Sequence, residues 1–427
     1  MKIIKKLRVF CAFICSACAV SAADKALLNA LVSKGIITNS EAEHIAKENV
    51  EISFLRPTTK SLTIQNRMQF QYETLEARTI SGPGLNGWQP HSNFLLRRCF
   101  IWTDASLGGG WDVRVSLDLA RQESNGLFTD TYISKKFDSE YVPGTLYLGY
   151  MKPGFCHEDV VSSMELDCIE RSVASMYWTG AENGRRMGIG NRYVGVRWNG
   201  NVPQVEGLSY ILAITNSFQL GPIVIDENLP KYEHNDLSYW ASVKYNIKYD
   251  KLNVNFGVYT QFSPTANVYD DYSKYSAIAS INPYIAGNYG NLYFWTEYLA
   301  SAVTDGKENS YGNREMASPY GVNFSVEYRF DVDGWGQVGP VFRYSWLDTD
   351  GRGLTVGDAE RHAPNLGTLY NRAQAFYFGV NWYINGQNLK VQLGYEYTQL
   401  SGSVSNAPDV SQCAECNALR LQIQVRL

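Results

Sequence analysis

Apolar and polar side chains alternate almost residue by residue in the stretch 374–398, near the C-terminal end of the chain. Its apolar positions are Phe376, Phe378, Val380, Trp382 and Ile384, followed after a turn by Leu389, Val391, Leu393, Tyr395 and Tyr397. Successive side chains of a β-strand point to opposite faces, so this stretch predicts a hairpin with one apolar and one polar face. Residues 385–387 supply the turn, because Asn and Gly accept the positive φ that a tight hairpin requires.

The period of two begins at Ser61 and recurs in sixteen segments of the chain. The predicted strands are residues 61–74, 93–107, 111–121, 127–137, 145–152, 191–199, 208–218, 237–248, 252–262, 275–288, 291–300, 320–331, 336–347, 372–384, 388–400 and 418–427. An even number of strands is expected for a closed barrel of antiparallel strands.

The links between these segments separate into short and long ones. Every second link is mostly short, as at residues 108–110, 249–251, 289–290, 332–335 and 385–387. The alternate links are mostly long, namely 76–92, 153–190, 219–236, 301–319, 348–371 and 401–417, with 122–126 as an exception. Short turns at one rim and long loops at the other are typical of outer-membrane β-barrels, whereas a β-sandwich has no reason to segregate its connections in this way.

The N-terminal region differs from the rest of the chain. Residues 1–22 run from basic to apolar to small side chains, which predicts a secretory signal peptide, although Cys18 leaves an acyl anchor as an alternative. Residues 23–59 have a helical pattern with Ser40 as a cap and Glu43 three residues later, and we expect a short periplasmic helical segment or a partly ordered tail. The prediction is therefore an all-β fold, a 16-stranded antiparallel transmembrane β-barrel over residues 60–427 that follows this helical segment.

Composition supports a barrel and argues against several other classes of protein. Without the signal peptide the chain has 34 Lys and Arg against 42 Asp and Glu, so nucleic acid is an unfavourable partner. After the signal peptide no apolar run reaches 18 residues, which excludes ordinary helical membrane spans. The mean hydropathy of −0.25 remains compatible with a barrel, because half the side chains of each strand are polar. The 29 Tyr and 10 Trp residues suit membrane interfaces.

Cysteine and histidine residues give no pattern that identifies a catalytic or metal site. Five cysteines follow the signal peptide, and in an exported protein Cys156 could pair with Cys168 and Cys413 with Cys416, or all could stay free. The histidines are His44, His91, His157, His234 and His362, and none has a nucleophile motif beside it. We therefore expect no enzyme activity, no cofactor and no metal.

The polar faces of the predicted strands should line an aqueous channel, because a barrel of sixteen strands is too wide for side chains to fill. Cations on these faces would attract anions, while neighbouring carboxylates would weaken that effect. Alternation places Arg67, Arg114, Lys244, Arg329 and Arg343 on the inner side. On the inner side these cations either attract anions or serve only to keep the wall of the lumen hydrated.

The long link 153–190 contains a concentration of charged residues. These are Glu165, Asp167, Glu170, Arg171, Arg185 and Arg186. A loop of this length after the fifth strand would narrow the channel if it folded into the bore. The alternative is an uncovered surface loop.

Several segments resemble the phosphate-selective porin O and P family of outer-membrane channels. The resemblance rests on FLLRRCF with WDVRVSLDLA, on LYLGYMKPGFCHEDVVSSMELDCIERS, and on FGVNWYINGQNLKVQLGYEYT. It implies a sixteen-stranded trimer in the outer membrane of a Gram-negative-type bacterium, with an inward third extracellular loop and an arginine- and lysine-lined passage for phosphate-like anions. Arg97, Arg98 and Arg114 are the cations that match its motifs.

The function predicted from the sequence is passive diffusion of small hydrophilic solutes with an anion preference. The expected partners are outer-membrane lipid, small anions and two further copies of this chain. The alternatives are a secreted or surface β-rich adhesin and an outer-membrane barrel enzyme.

Overall fold

The computed structural model describes residues 32, 38, 59–81, 87–120, 127–180, 186–216, 237–266, 276–309, 311–363, 368–404 and 412–426. The chain divides into two compact units, Met1–Lys60 and Ser61–Leu427. The signal peptide at 1–22 and almost all of the helical segment at 23–59 lie outside the described residues. Within that segment Val32 is helical.

The second unit consists of eighteen β-strands in one antiparallel sheet. The strands are β1 Ser61–Ser81, β2 Trp88–Gly108, β3 Trp111–Asp118, β4 Thr131–Phe137, β5 Gly144–Met151, β6 Tyr193–Asn201, β7 Leu208–Asn216, β8 Leu237–Tyr249, β9 Leu252–Ala266, β10 Ser276–Tyr289, β11 Leu292–Glu308, β12 Arg314–Ala317, β13 Tyr320–Tyr328, β14 Phe330–Val332, β15 Gly336–Asp348, β16 Tyr370–Gln387, β17 Leu389–Ser403 and β18 Cys413–Arg426. The sheet closes on itself, because β1 pairs with both β2 and β18.

Three of these segments are pieces of one strand that crosses the barrel. β12 and β13 both pair with β11, and β13 and β14 both pair with β15. Counting β12 to β14 as one gives sixteen crossings, so the predicted closed barrel and its sixteen strands are confirmed. A closed barrel leaves no edge strand whose backbone groups lack partners.

Several strands at the long-loop rim are longer than predicted. β1 continues to Ser81 and β18 begins at Cys413, and Arg78 of β1 lies opposite Glu415 of β18 in the register. Cys413 and Cys416, which were placed in a long link, therefore lie in a strand. All five cysteines of the described region are free thiols, so neither of the suggested disulfides is formed.

The outward faces of the strands are apolar. Phe70, Val380 and Leu393 lie in the middle of this surface, each about half exposed. Tyr249, Tyr289 and Trp335 lie at the short turns and are more exposed still. An apolar band bordered by aromatic side chains is the surface expected of a barrel in a bilayer.

Among the described residues of the long loops there are three short helices, α1 His157–Val160, α2 Val173–Thr179 and α3 Val356–Ala359. No helix in the described part of the chain has the length and apolar character needed to cross a membrane. The buried residues of α2 pack against side chains from the inner wall, including Leu299, Leu347 and Ala373. The core of the molecule thus lies between loops and barrel wall.

Candidate functional site

The described residues of the link 153–190, which are 153–180 and 186–190 and are called the inward loop from here on, lie inside the barrel. The Lys390 ammonium donates to the carbonyl oxygens of Met164 and Leu166 at 3.1 and 2.8 Å. Gln424 Nε2 donates to the Met164 carbonyl at 3.0 Å, and Asn381 Nδ2 donates to the Asp167 carbonyl at 2.8 Å. The donating side chains belong to β16, β17 and β18 and are fully buried. The inward loop is therefore held against one side of the wall, and the surface-loop alternative is excluded.

Arg343 on β15 fixes the inward loop by charge as well as by hydrogen bonds. Its guanidinium donates to Glu158 Oε1 at 2.8 Å, to the Glu170 carbonyl at 2.6 Å and to Glu396 Oε1 at 2.7 Å. Arg343 is only 1 % exposed. It faces inward as alternation predicted, but it lies beneath the loop and does not line open space.

Glu297 on β11 receives hydrogen bonds from two helices of the inward loop and from the wall. Its carboxylate accepts from the His157 backbone N–H at 2.8 Å and from Ser175 Oγ at 3.0 Å. The amides of Asn282 and Asn323 donate to it at 3.0 and 2.9 Å. These hydrogen bonds offset the cost of burying the carboxylate, and they fix the position of the loop backbone.

A second loop also folds inward in its described residues, 349–363 and 368–369, and we call it the bracing loop. Arg420 on β18 donates to Glu360 at 2.5 Å, and His362 Nδ1 lies 2.6 Å from Glu73 Oε1. Arg352 of the bracing loop donates to the Tyr177 hydroxyl in α2 at 2.9 Å. The sequence pattern predicts a long link at 348–371 but gives no sign that it folds into the barrel.

Between the inward loop, the bracing loop and the inner faces of β1 to β3, β5 to β7 and β18 lies a polar cavity of about 1410 Å³, called the cationic cavity. Its cations are Arg67, Arg97, Arg98, Arg114, Lys152, Arg171, Arg186, Arg192, Arg197, Arg361 and Arg426. Its carboxylates are Glu73, Asp118, Asp130, Asp159 and Glu170. Eleven cations against five carboxylates leave an excess of six positive charges, although the chain as a whole is acidic.

A β-bulge brings two consecutive arginines to the inner side of β2. In the pairing of β1 with β2, Gln69 lies opposite Arg98 and Phe70 opposite Leu96, so Arg97 is the extra residue. A bulge locally breaks the alternation of faces. Arg98 Nη1 consequently reaches Gln69 Oε1 at 2.6 Å while Arg97 bonds to the inward loop.

Several cations of the cavity are paired with carboxylates. Arg97 holds both oxygens of Glu170 at 2.5 and 2.8 Å, and Arg192 holds both oxygens of Asp130 at 3.0 Å. Arg114 holds both oxygens of Asp104 at 2.6 and 2.8 Å. Lys152 and Arg171 share Asp159, at 2.5 and 3.1 Å. These pairs orient the side chains but reduce the charge that a passing solute meets.

Other cations of the cavity contact neutral partners instead. Arg67 donates to Ser162 Oγ at 3.1 Å and its guanidinium lies 3.9 Å from the Phe100 ring centroid. Arg197 donates to the Lys152 carbonyl at 2.6 Å, and Arg426 donates to Gln65 at 3.0 Å. Together with Arg98, these arginines form no ion pair with a carboxylate of the described residues. Their charge is therefore the part of the cavity's field that is least compensated locally.

Burial changes the protonation of groups in the inward loop and beside it. Burial lowers the pKa of Lys152 to about 8, and the nearby Asp159 carboxylate offsets only part of that effect. Burial also lowers the pKa of His157, to about 4, so this side chain is neutral at pH 7. Burial alone would raise the pKa of Glu170, but Arg97 together with Arg361 and Arg98 outweighs burial and holds that pKa well below its ordinary value.

The predicted site residues are distributed over three environments. Arg67, Arg97, Arg98, Arg114, Glu170, Arg171 and Arg186 line the cationic cavity. Arg343 and Asp167 hold the inward loop to the wall, whereas Arg329 pairs with Glu327 at 2.8 Å. Lys244 and Glu165 are exposed outside this cavity, and Arg185 lies outside the described residues.

Five cations of the cavity were not singled out from the sequence, namely Lys152, Arg192, Arg197, Arg361 and Arg426. Alternation within their strands identifies the inner side for Arg197 and Arg426. The other three lie outside strands, where the sequence period carries no information about direction. No group of His, Cys, Asp or Glu that could hold a metal occurs among the described residues.

Comparison with known proteins agrees with this architecture. The family model for phosphate-selective porin O and P matches residues 77–204, which confirms the resemblance found in the sequence. An anion-selective porin from Comamonas acidovorans is similar at TM-score 0.54 and 9 % identity, covering 86 % of this chain and 100 % of that one. The in-vitro folded outer-membrane protein OmpT of Vibrio cholerae is similar at TM-score 0.53 and 9 % identity, covering 88 % and 99 %.

The outer-membrane channel DcaP of Acinetobacter baumannii is similar at TM-score 0.52 and 11 % identity, covering 88 % of this chain and 99 % of that one. At these identities the likeness establishes the fold, a closed barrel of the outer-membrane type. No curated protein matches the chain.

Proposed function

We propose that this protein is an outer-membrane porin of a Gram-negative-type bacterium, through which small hydrophilic solutes diffuse passively with a preference for anions. The observation that carries the proposal is the cationic cavity, with its excess of six positive charges inside a closed barrel. The apolar outer band supports membrane insertion. The family match over residues 77–204 and the similarity to a porin described as anion-selective point the same way.

The physical basis of the preference is the position of the charges. The inward loop and the bracing loop pack against one side of the barrel wall, and Arg67, Arg98 and Arg197 belong to β1, β2 and β6 on the other side of the cavity. Low-dielectric walls concentrate the field of such charges and raise the local concentration of the opposite ion. Arg67, Arg98 and Arg197 contribute most in this proposal, because their partners in the described structure are neutral.

The proposal describes a channel without catalytic activity. The barrel and the family match support a channel over a barrel enzyme, and the apolar outer band favours a membrane protein over a secreted adhesin. A homotrimer is part of the proposal and follows from the resemblance. Heat-modifiable migration of a detergent-solubilised trimer would support it, and a detergent-stable monomer at all protein concentrations would contradict it.

The test of the channel is electrical. Purified protein in planar bilayers should conduct, and its reversal potential in a potassium chloride gradient should report preferential chloride passage. The Arg67→Gln, Arg98→Gln and Arg197→Gln variants should each shift the reversal potential toward the value of a cation-preferring channel. Phosphate is measured in parallel with chloride.

Arg372→Gln is the matched control, because Arg372 pairs with Asp348 outside the cationic cavity and its side chain is 60 % exposed. Its reversal potential should equal that of the unchanged protein. If the unchanged protein prefers cations and none of the three inner substitutions alters that preference, anion selectivity is refuted. The proposal that the protein forms a pore would still stand.

A further inference from the structure

Two valines of the inward loop face the cationic cavity. Val160 and Val161 both line it, and Val160 is 39 % exposed although it lies inside the barrel. Neighbouring loop residues such as Met164 and Leu166 are nearly completely buried against the wall. The loop therefore presents two consecutive apolar side chains to a cavity whose other lining residues are largely polar or charged, where a hydrated pore would favour polar side chains.

Cations surround these two valines. The peptide carbonyl of Asp159, which precedes Val160, accepts from Lys152 Nζ at 2.8 Å and from Arg171 Nη2 at 3.2 Å. Ser162, which follows Val161, accepts from Arg67 Nη1 at 3.1 Å. A solute that contacts the valines therefore meets three positively charged side chains, of which Lys152 and Arg171 also pair with the Asp159 carboxylate and Arg67 does not.

This arrangement distinguishes between classes of anion. A small inorganic anion gains from the cations but has no apolar surface to place against the valines, and it keeps most of its hydration. A carboxylate with a hydrocarbon chain or ring is favoured by both the cations and the valines. Its carboxylate group binds guanidinium or ammonium donors, and its apolar part is transferred out of water onto the valines. Each methylene that is buried favours binding by roughly fourfold.

We propose that Val160 and Val161 are specificity-determining residues that favour monocarboxylates with an apolar chain or ring over small inorganic anions. The inference rests on the proposed anion channel and names the class of solute that it selects. The valines act by contact with the solute, while Lys152, Arg171 and Arg67 supply the attraction for its carboxylate.

Block of the chloride current in planar bilayers tests the inference. Acetate and butanoate carry the same charge, and butanoate has two more methylenes, so butanoate should halve the chloride current at a concentration about fourfold lower than acetate if one methylene is buried and about fifteenfold lower if both are. The Val160→Thr/Val161→Thr double variant has nearly the same shape but a polar surface. It should bring the two half-blocking concentrations close together without changing the reversal potential in potassium chloride.

Val205→Thr is the matched control, because Val205 is 42 % exposed in the link between β6 and β7 and does not line the cavity. It should leave the butanoate-to-acetate ratio unchanged. Equal block by both carboxylates in an anion-preferring channel would overturn the inference and leave the proposed function intact. A channel without anion preference would overturn both.

Discussion

Replacement of Arg343 by methionine should displace the inward loop from the barrel wall. The three hydrogen bonds from Arg343 to Glu158, Glu170 and Glu396 would be lost, and the Glu158 and Glu396 carboxylates would stay buried. Removal of one member of a buried ion pair costs about 3–5 kcal/mol. That cost shifts the equilibrium between a seated and a displaced loop by roughly 10²–10⁴-fold toward displacement.

The assay is single-channel recording. The Arg343→Met channel should show a larger or noisier conductance, because the loop no longer occupies one side of the bore, while the strands keep their backbone pairing and the protein keeps its heat-modifiable migration. Adding Glu158→Gln removes one uncompensated buried charge and should restore part of the low-noise conductance of the unchanged channel. Arg372→Met, at the exposed rim, controls for loss of any arginine. Conductance and noise identical to those of the unchanged channel would refute this account of how the loop is held.

Three further predictions concern groups in or against the inward loop. Lys152, with its pKa lowered to about 8, loses its positive charge as pH rises from 7 to 9, so anion preference should fall over that range in reversal-potential measurements; a Lys152→Arg channel with the same pH dependence would contradict this. Glu297→Gln replaces an acceptor oxygen by an amide nitrogen that only donates, so a buried hydrogen-bond donor loses its partner. The loss destabilises the seated loop by about 1–3 kcal/mol. The loop should therefore be cleaved by added protease more readily than in the unchanged protein. Cys156 and Cys168 are buried free thiols, so maleimide should label them only after denaturation, and labelling in the folded protein would show that the loop opens.

Much of the barrel was predictable, because a wall with lipid outside and water inside imposes a period of two on every strand. That period ends where the strands rise above the apolar band. Arg78 and Glu415 face each other there on the outer side, while Ala77, Ala414 and Cys416 are buried on the inner side, so the alternation no longer has an apolar outer and a polar inner face. The extensions of β1 and β18 were therefore missed.

The candidate site was only partly predictable, because its cations come from both strands and loops. Alternation identifies the inner side for Arg67 and Arg114, but it carries no information about a partner on another segment. The contact between Arg343 and Glu158, residues 185 positions apart, depends on how the loop folds. Thr355 and Asp358 of the bracing loop do form a capping box, and that local pattern was the available sign of α3.

The bulge at Arg97 shows how a barrel wall can present more charge without gaining a strand. Strict alternation limits each strand to one inner side chain per two residues, or about 7 Å of strand length. One additional residue removes that limit locally, so neighbouring positions on the chain serve different tasks, with Arg97 anchoring Glu170 and Arg98 remaining on the wall. Insertions of a single residue are thus a route by which such a pore acquires new chemistry while its diameter and strand number stay the same.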